Sequence, residues 1–280
     1  MKLRHLIWAT AVATALSVAG CSALDAKQRA MIFQPSDRVW QRADMAGMQD
    51  VWIDFHSQAD QQAVRLHGLW LAQKNARAPV LLYLHGARWN VTGSTLRMRH
   101  MHALGFAVLA IDYRGFGQTQ PASLPSEVSA REDALAAWHW LAQQHPQAPR
   151  FIFGHSLGGA IAIDLATRVN DEQGLVVEGT FTNIRDMARN FQWGWLPLGP
   201  LITQKFDSLD KVAHIGAPLL VVHGSADTLV PPALGQQLYD AAVPPKQWVL
   251  VQGGTHHNTN SMGQAQYRAA LSAWLVPKNP

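Results

Sequence analysis

Short, nearly unbroken apolar runs recur along the chain: Val80–Leu84, Ala107–Ile111, Phe151–Phe153, Leu175–Glu178, Leu219–Val222 and Trp248–Val251. Runs this short, without strict alternation, suit strands buried on both faces. Ahead of them, Val51–Phe55 and Val64–Leu71 alternate in part and predict an antiparallel pair. Helix-length stretches, among them Glu127–Gln144 and Pro232–Ala242, lie between the runs. This order predicts an α/β fold: a doubly wound, mostly parallel sheet with helices on both sides. In such a sheet the functional loops gather beyond the carboxyl ends of the strands.

The loops carry the candidate chemistry. Arg150-Phe151-Ile152-Phe153 runs into Gly154-His155-Ser156-Leu157-Gly158, and a helix-compatible stretch, Gly159 to Ala166, follows. G-x-S-x-G between a strand and a helix is the nucleophile-elbow pattern, which lifts a serine hydroxyl out at a strand end. A serine needs a base, and the base needs an orienting acid. Downstream, Leu219–Val222 leads through His223-Gly224 to a loop holding Asp227. Trp248–Val251 leads to Gln252-Gly253-Gly254-Thr255-His256-His257-Asn258. Serine, acid and histidine thus appear in the chain order this elbow uses.

With these motifs in place, the chain from about Val51 to Leu275 resembles an α/β-hydrolase of the serine-hydrolase type. Leu84-His85-Gly86 resembles the H-G segment closing that family's third strand, and Asp112-Tyr113-Arg114-Gly115-Phe116-Gly117 its D-Y-R-G-x-G turn. His223-Gly224 through Asp227 and Pro231 resembles its H-G-x-x-D-x-x-V-P acid loop. Val64–Trp70 is similar to the second strand of the membrane-associated subfamily, which includes lysophospholipid lipases and protein depalmitoylases. The resemblance implies Ser156 as nucleophile, Asp227 as orienting acid and His256 as general base, with His257 the alternative base. It implies an oxyanion hole of the Leu157 and Ala87 backbone N–H groups. Asp112, His85, His223 and His155 read as loop-holding residues. Arg88 and Trp89 read either as shaping the pocket mouth or facing an anionic head group, or as a solvated cation and a ring packed on a neighbouring loop. No H-E-x-x-H spacing and no glycine-rich dinucleotide fingerprint occurs, so neither a metal nor another cofactor is expected.

The amino terminus adds a second signal. Lys2 and Arg4 precede a small apolar stretch, Leu6 to Val18, too short for a comfortable membrane span. It ends in Val18-Ala19-Gly20-Cys21, which resembles a bacterial lipobox, and Cys21 is the only cysteine. The expected organisation is a lipoprotein signal peptide over 1–20, then a lipidated Cys21 with a tether and entry segment over 21–48. A hydrolase domain over 49–277 follows, with a short apolar cap at about 181–212. Ser22 after the cysteine implies, by the lipoprotein sorting rule, an outer membrane facing the periplasm of a Gram-negative cell. With 23 basic and 19 acidic residues and no basic run, the chain has no nucleic-acid-binding signature.

The cap segment holds Phe191, Trp193, Trp195, Leu196, Pro197, Leu198, Pro200, Leu201 and Ile202, a composition suited either to covering an acyl chain or to a helix–loop packed on the core with its tryptophans buried. Met187 and Phe206 read as packing residues. The functional expectation is cleavage of acyl esters or thioesters, lipids among them. A peptidase or amidase on the same residues, and a non-catalytic binding lipoprotein, are the alternatives. A dehalogenase is disfavoured, because such relatives carry aspartate where Ser156 stands.

Overall fold

The computed structural model describes residues 20–40, 44–189 and 199–275. Helix α1 runs through 20–33. Strands β1 (Met48–His56) and β2 (Ala63–Leu71) come next, followed by β3 (Val80–Leu84), helix α2 (Thr95–Ala103) and β4 (Ala107–Ile111). Helix α3 (Glu127–Gln144), β5 (Arg150–His155), α4 (Leu157–Ala166) and β6 (Glu172–Glu178) continue the alternation. Short helices α5 (Ile184–Arg189) and α6 (Leu209–Val212) precede β7 (Leu219–Gly224). Helix α7 (Pro232–Ala241), β8 (Lys246–Val251), α8 (Thr259–Met262) and α9 (Gln264–Leu275) complete the order.

The strands form one sheet in the order β1-β2-β4-β3-β5-β6-β7-β8. β1 and β2 pair antiparallel, as do β2 and β4; every later pairing is parallel. The unbroken apolar runs are explained by burial on two faces. Val80, Leu82 and Leu84 face one core together with Ala130, Ala134, Ala137, Trp138 and Leu141 of α3. Leu81 and Tyr83, one residue out of phase, face a second core with Met98 and Met101 of α2 and Tyr267 and Leu271 of α9. The order turns back on itself around β3, whose neighbours are β4 and β5, and a crevice opens at such a reversal beyond the strand ends.

Local chemistry sets the element boundaries. Ser126 caps α3: its hydroxyl accepts from the Ser129 N–H, and the Ser129 hydroxyl accepts from the Ser126 N–H, at 3.0 and 2.8 Å. Arg114, fully buried, locks the turn after β4 to α3. Its guanidinium bonds Asp133 at 2.8 Å, Glu132 at 2.8 Å and Asp60 at 2.6 Å. A buried guanidinium is tolerated only when carboxylates pair it, and because these partners come from α3 and from the β1–β2 turn, the three segments are held as one unit.

Part of the expected tether and entry segment, from 21 to 40, packs on the domain. Gln28 bonds the Leu201 carbonyl and the Thr203 N–H, at 2.7 and 2.9 Å. Gln204 donates to Asp25 at 2.8 Å. Phe33 is fully buried against Phe116 and Phe206. An amphipathic pattern is weak here, because α1 buries only its carboxyl end; its start, including Cys21 and Leu24, is exposed. The proposed signal segment up to Ala19 lies outside the described residues.

His67 on β2 ties strands to loops. Its Nδ1 lies 2.9 Å from Asp112 Oδ2 and its Nε2 2.9 Å from Asp50 Oδ1. Two carboxylates are served best by an imidazolium, which donates from both nitrogens. Burial pushes the His67 pKa down, but the hydrogen bonds to Asp112 and Asp50 outweigh it and the net shift is upward. Its contribution to stability is therefore fully present below the unfolded value of about 6.5 and is lost as pH rises through the folded value.

Two outcomes follow for stability. Phe33→Ala should cost about 3 to 5 kcal/mol in urea unfolding, as for other buried phenylalanines; a cost under about 0.5 kcal/mol would place 20–40 outside the cooperative unit. The stability advantage of the parent over His67→Gln, measured by urea midpoints across a pH series, should be largest below about pH 6.5 and shrink above it. An advantage that grows with pH would contradict the imidazolium reading.

Candidate active site

Three loops at the carboxyl ends of β5, β7 and β8 meet over the sheet. Ser156, between β5 and α4, has φ 55 and ψ −122, a conformation L residues rarely hold. It is sustained by close backbone packing on either side. A Cβ on Gly158 would lie 2.1 Å from the Leu84 carbonyl oxygen, and one on Gly154 2.3 Å from the Gly158 oxygen. Only glycine fits both positions, so the two glycines of the motif are required by contact with neighbouring backbone. The Ser156 N–H bonds the Glu178 carbonyl at 2.9 Å, and the Thr180 hydroxyl bonds the Ser156 carbonyl at 2.8 Å.

The Ser156 hydroxyl lies 3.0 Å from His256 Nε2. His256 Nδ1 lies 2.8 Å from Asp227 Oδ2. The other oxygen of Asp227 accepts from the Leu229 and Val230 N–H groups, at 3.0 and 2.9 Å. Burial pushes the Asp227 pKa up, yet the hydrogen bonds from His223 and His256 hold it well below the usual carboxylate range. An anion opposite Nδ1 keeps the proton on that nitrogen and leaves Nε2 free to accept from the serine. His257 is outside this chain of bonds: it is exposed, 6.2 Å ring to ring from Trp89 and edge-on to His256.

The two amides expected to face an oxyanion sit close by. Leu157 is the first residue of α4, so its N–H has no partner within the helix. Gly86 runs against Ser156, where an added Cβ would lie 3.0 Å from the serine Cβ, and Ala87 is the next residue. The following residues are pinned by the amino-terminal segment. Arg88 N–H bonds the Phe33 carbonyl at 2.9 Å, and the Asn90 amide bonds the Ser36 and Arg38 carbonyls at 3.2 and 2.9 Å. Trp89 stacks on Trp40 with ring centroids 4.3 Å apart. The Arg88 side chain is exposed.

The residues read as structural hold loops. Asp112 accepts from the Val91 N–H at 2.8 Å and from His67, joining the turn after β4 to the loop after β3. His85 Nδ1 donates to the Gly86 carbonyl at 2.7 Å, and burial pushes its pKa down. His223 Nε2 donates to the Val230 carbonyl at 2.9 Å and lies 3.5 Å from Asp227 Oδ2. Phe206 is buried, and Met187 packs on the core. Of the apolar cap, Phe191, Trp193, Trp195, Leu196, Pro197 and Leu198 lie outside the described residues, while Leu201 is exposed.

Arg97 and Glu178, whose side chains pair at 2.9 Å beneath the histidine loop, belong to none of the sequence motifs. One signal is present: Glu178 directly follows the buried apolar run Leu175–Val177, and a buried acid demands a cation. Among the described residues, no group of three or more His, Cys, Asp or Glu side chains is placed to hold a metal ion. No described helix is long and apolar enough to cross a membrane.

Residues 75–207 match the hydrolase family described as "Serine aminopeptidase, S33". An uncharacterized protein of Mycobacterium tuberculosis is 38% identical over 160 residues, covering 56% of each chain. The lysophosphatidylserine lipase ABHD12 of Danio rerio is 35% identical over 187 residues, covering 60% of this chain and 48% of its own. The chain thus spans about half the length of these relatives. An esterase of Pyrococcus furiosus superposes with TM-score 0.67 at 21% identity, over 86% of this chain and 96% of its own. An acylaminoacyl peptidase of Pyrococcus horikoshii superposes with TM-score 0.63 at 15% identity, over 84% of this chain and 43% of its own. At these identities the two structures speak to the fold alone. Sheet order and strand–elbow–helix turn agree with these structures, and the chain has the α/β-hydrolase fold.

Proposed function

We propose that the protein is a serine hydrolase that cleaves acyl esters or thioesters, lipid esters among them, through Ser156, His256 and Asp227. The observation that carries this reading is the continuous hydrogen-bonded path from the Ser156 hydroxyl through His256 to Asp227. His256 Nε2 takes the serine proton as Oγ attacks the carbonyl carbon. The oxyanion of the tetrahedral intermediate is stabilised by the Leu157 and Ala87 N–H groups. Asp227 stabilises the imidazolium, which then protonates the leaving alcohol or thiol. Water, deprotonated by the same histidine, releases the acyl group and regenerates Ser156.

A lipid-like substrate is supported by the match to ABHD12, which is named as a lysophosphatidylserine lipase, and by the apolar composition of the cap. We place the enzyme at a membrane surface through lipidated Cys21, facing the periplasm from the outer membrane. Cys21 is exposed at the start of the first described helix, and its neighbours match a lipobox. Several buried acyl methylenes contribute about 0.8 kcal/mol each, so more than one chain anchors stably. Amide cleavage is the second reading, favoured by the family's description as a serine aminopeptidase.

Steady-state hydrolysis of p-nitrophenyl esters of graded chain length, beside p-nitroanilides, separates the two readings. Ester turnover should exceed anilide turnover and depend on acyl length; the reverse ranking would establish the amidase reading. Ser156→Ala should lose about 10^4-fold or more in kcat, and Asp227→Asn about 10^4-fold because the tautomer is lost. His257→Ala should keep kcat within about threefold of the parent, since the side chain lies outside the hydrogen-bonded path. A His257→Ala loss as large as that of His256→Ala would overturn the assignment of the base.

A further inference from the structure

Beneath the histidine loop lies a buried charged cluster that the acyl-transfer steps do not use. Arg97, the third residue of α2, points inward beneath the loop after β8. Its Nε donates to Glu178 Oε1 at 2.9 Å. Its Nη2 donates to the carbonyl oxygens of His256 and His257, each at 3.3 Å, and lies 3.1 Å from His155 Nε2. Glu178 is fully buried, and its second oxygen accepts from the hydroxyl of buried Tyr267. The carboxylate is therefore held from α9 on one side and from α2 on the other. His155 Nε2 also lies 3.1 Å from the His256 carbonyl, and the two ring centroids are 4.9 Å apart.

We infer that Arg97 is a positioning residue for the general base: its guanidinium, fixed by Glu178, holds the backbone of His256 and His257 so that His256 Nε2 stays aimed at Ser156. This rests on the assignment of His256 as base. The physical reason is leverage. Asp227 fixes only the ring, through Nδ1, whereas the ring's position also depends on the peptide that carries it. That peptide sits in a loop with glycines at 253 and 254, whose backbone is intrinsically permissive. A guanidinium can bond two successive carbonyls and a carboxylate at once, because its donors form a rigid planar fork. An ammonium is a point charge and cannot span the same three acceptors in fixed geometry. A buried cation beside His155 also keeps that ring neutral: burial first, then the Arg97 charge, push its pKa well below the usual value. A neutral His155 adds no positive charge against the imidazolium that forms on His256.

The test must separate positioning from simple structural support, since Arg97→Met alone leaves Glu178 charged, buried and unpaired. The double variant Arg97→Met/Glu178→Gln removes both charges and restores neutrality. It should fold cooperatively, with ester kcat about a hundredfold below the parent and KM within about twofold, the size of loss that misplaced catalytic groups produce. Methylguanidinium added to Arg97→Ala, which keeps Glu178 and opens the cleft, should recover at least about tenfold in kcat, with no effect on the parent. Return of kcat to within about threefold of the parent in the double variant, or a loss confined to KM, would show that Arg97 only supports the fold. If the double variant does not fold, Arg97→Lys decides. The charge is kept and the fork is lost, so kcat should fall about tenfold at unchanged KM; unchanged kcat overturns the inference.

Hydrogen exchange gives a readout that does not depend on turnover. Amides of the loop from Gly253 to Asn258 should exchange at least about tenfold faster in the variants, while those of β5 and β6 stay protected. A parent that hydrolyses no ester but shows this loop response would refute the proposed function and leave the positioning role standing. Equal exchange in parent and variants would refute the positioning role alone.

Discussion

The site depends on a single backbone constraint, the turn at Ser156. A residue held at φ 55 and ψ −122 costs about 1 to 3 kcal/mol, which the surroundings must offset. Here the offset is close packing. Gly158 abuts the carbonyls that end β3, Gly154 abuts the first turn of α4, and hydrogen bonds from the next strand and its loop hold the serine on both sides. Because the turn cannot relax without separating β5 from β3, the hydroxyl is presented at a fixed point above the sheet. The other loops have only to reach that point, and each does so from a strand end further along the sheet.

The amino-terminal segment is part of the site wall. Its carbonyls at Phe33, Ser36 and Arg38 accept from Arg88, Asn90 and Gly117, and Trp40 stacks on Trp89. The chain that leads back to Cys21 is thus bonded to the loop that carries Ala87. The segment from Cys21 and the loop after β3 are thus mechanically continuous.

Much of the fold was legible because burial on both faces leaves a strong mark. The runs Val80–Leu84 and Ala107–Ile111 match their strands residue for residue, as Glu127–Gln144 matches its helix. Ser156, Asp227 and His256 were legible through spacing, since each follows a strand closely and sits in a loop with glycine on its amino side. What remained hidden depends on distant pairing. Thr95–Ala103 reads as T-L-R-M-R-H-M-H-A, with no periodic apolar face to mark which arginine turns inward. The partner of Arg97 lies 81 positions away. The helix over 20–33 was hidden for a different reason: it buries little beyond Phe33, and its partners include backbone carbonyls and amides, which sequence does not display. Which of His256 and His257 reaches Ser156 also needed geometry, because adjacent loop residues differ only in where the chain turns.

The central claim is that Ser156 is an activated nucleophile. Treating the purified protein with a fluorophosphonate and reading intact mass and peptide maps, beside Ser156→Ala, tests it directly. One adduct is predicted, on Ser156, absent from the variant. A folded parent that takes up no adduct, or one that reacts elsewhere, would contradict it.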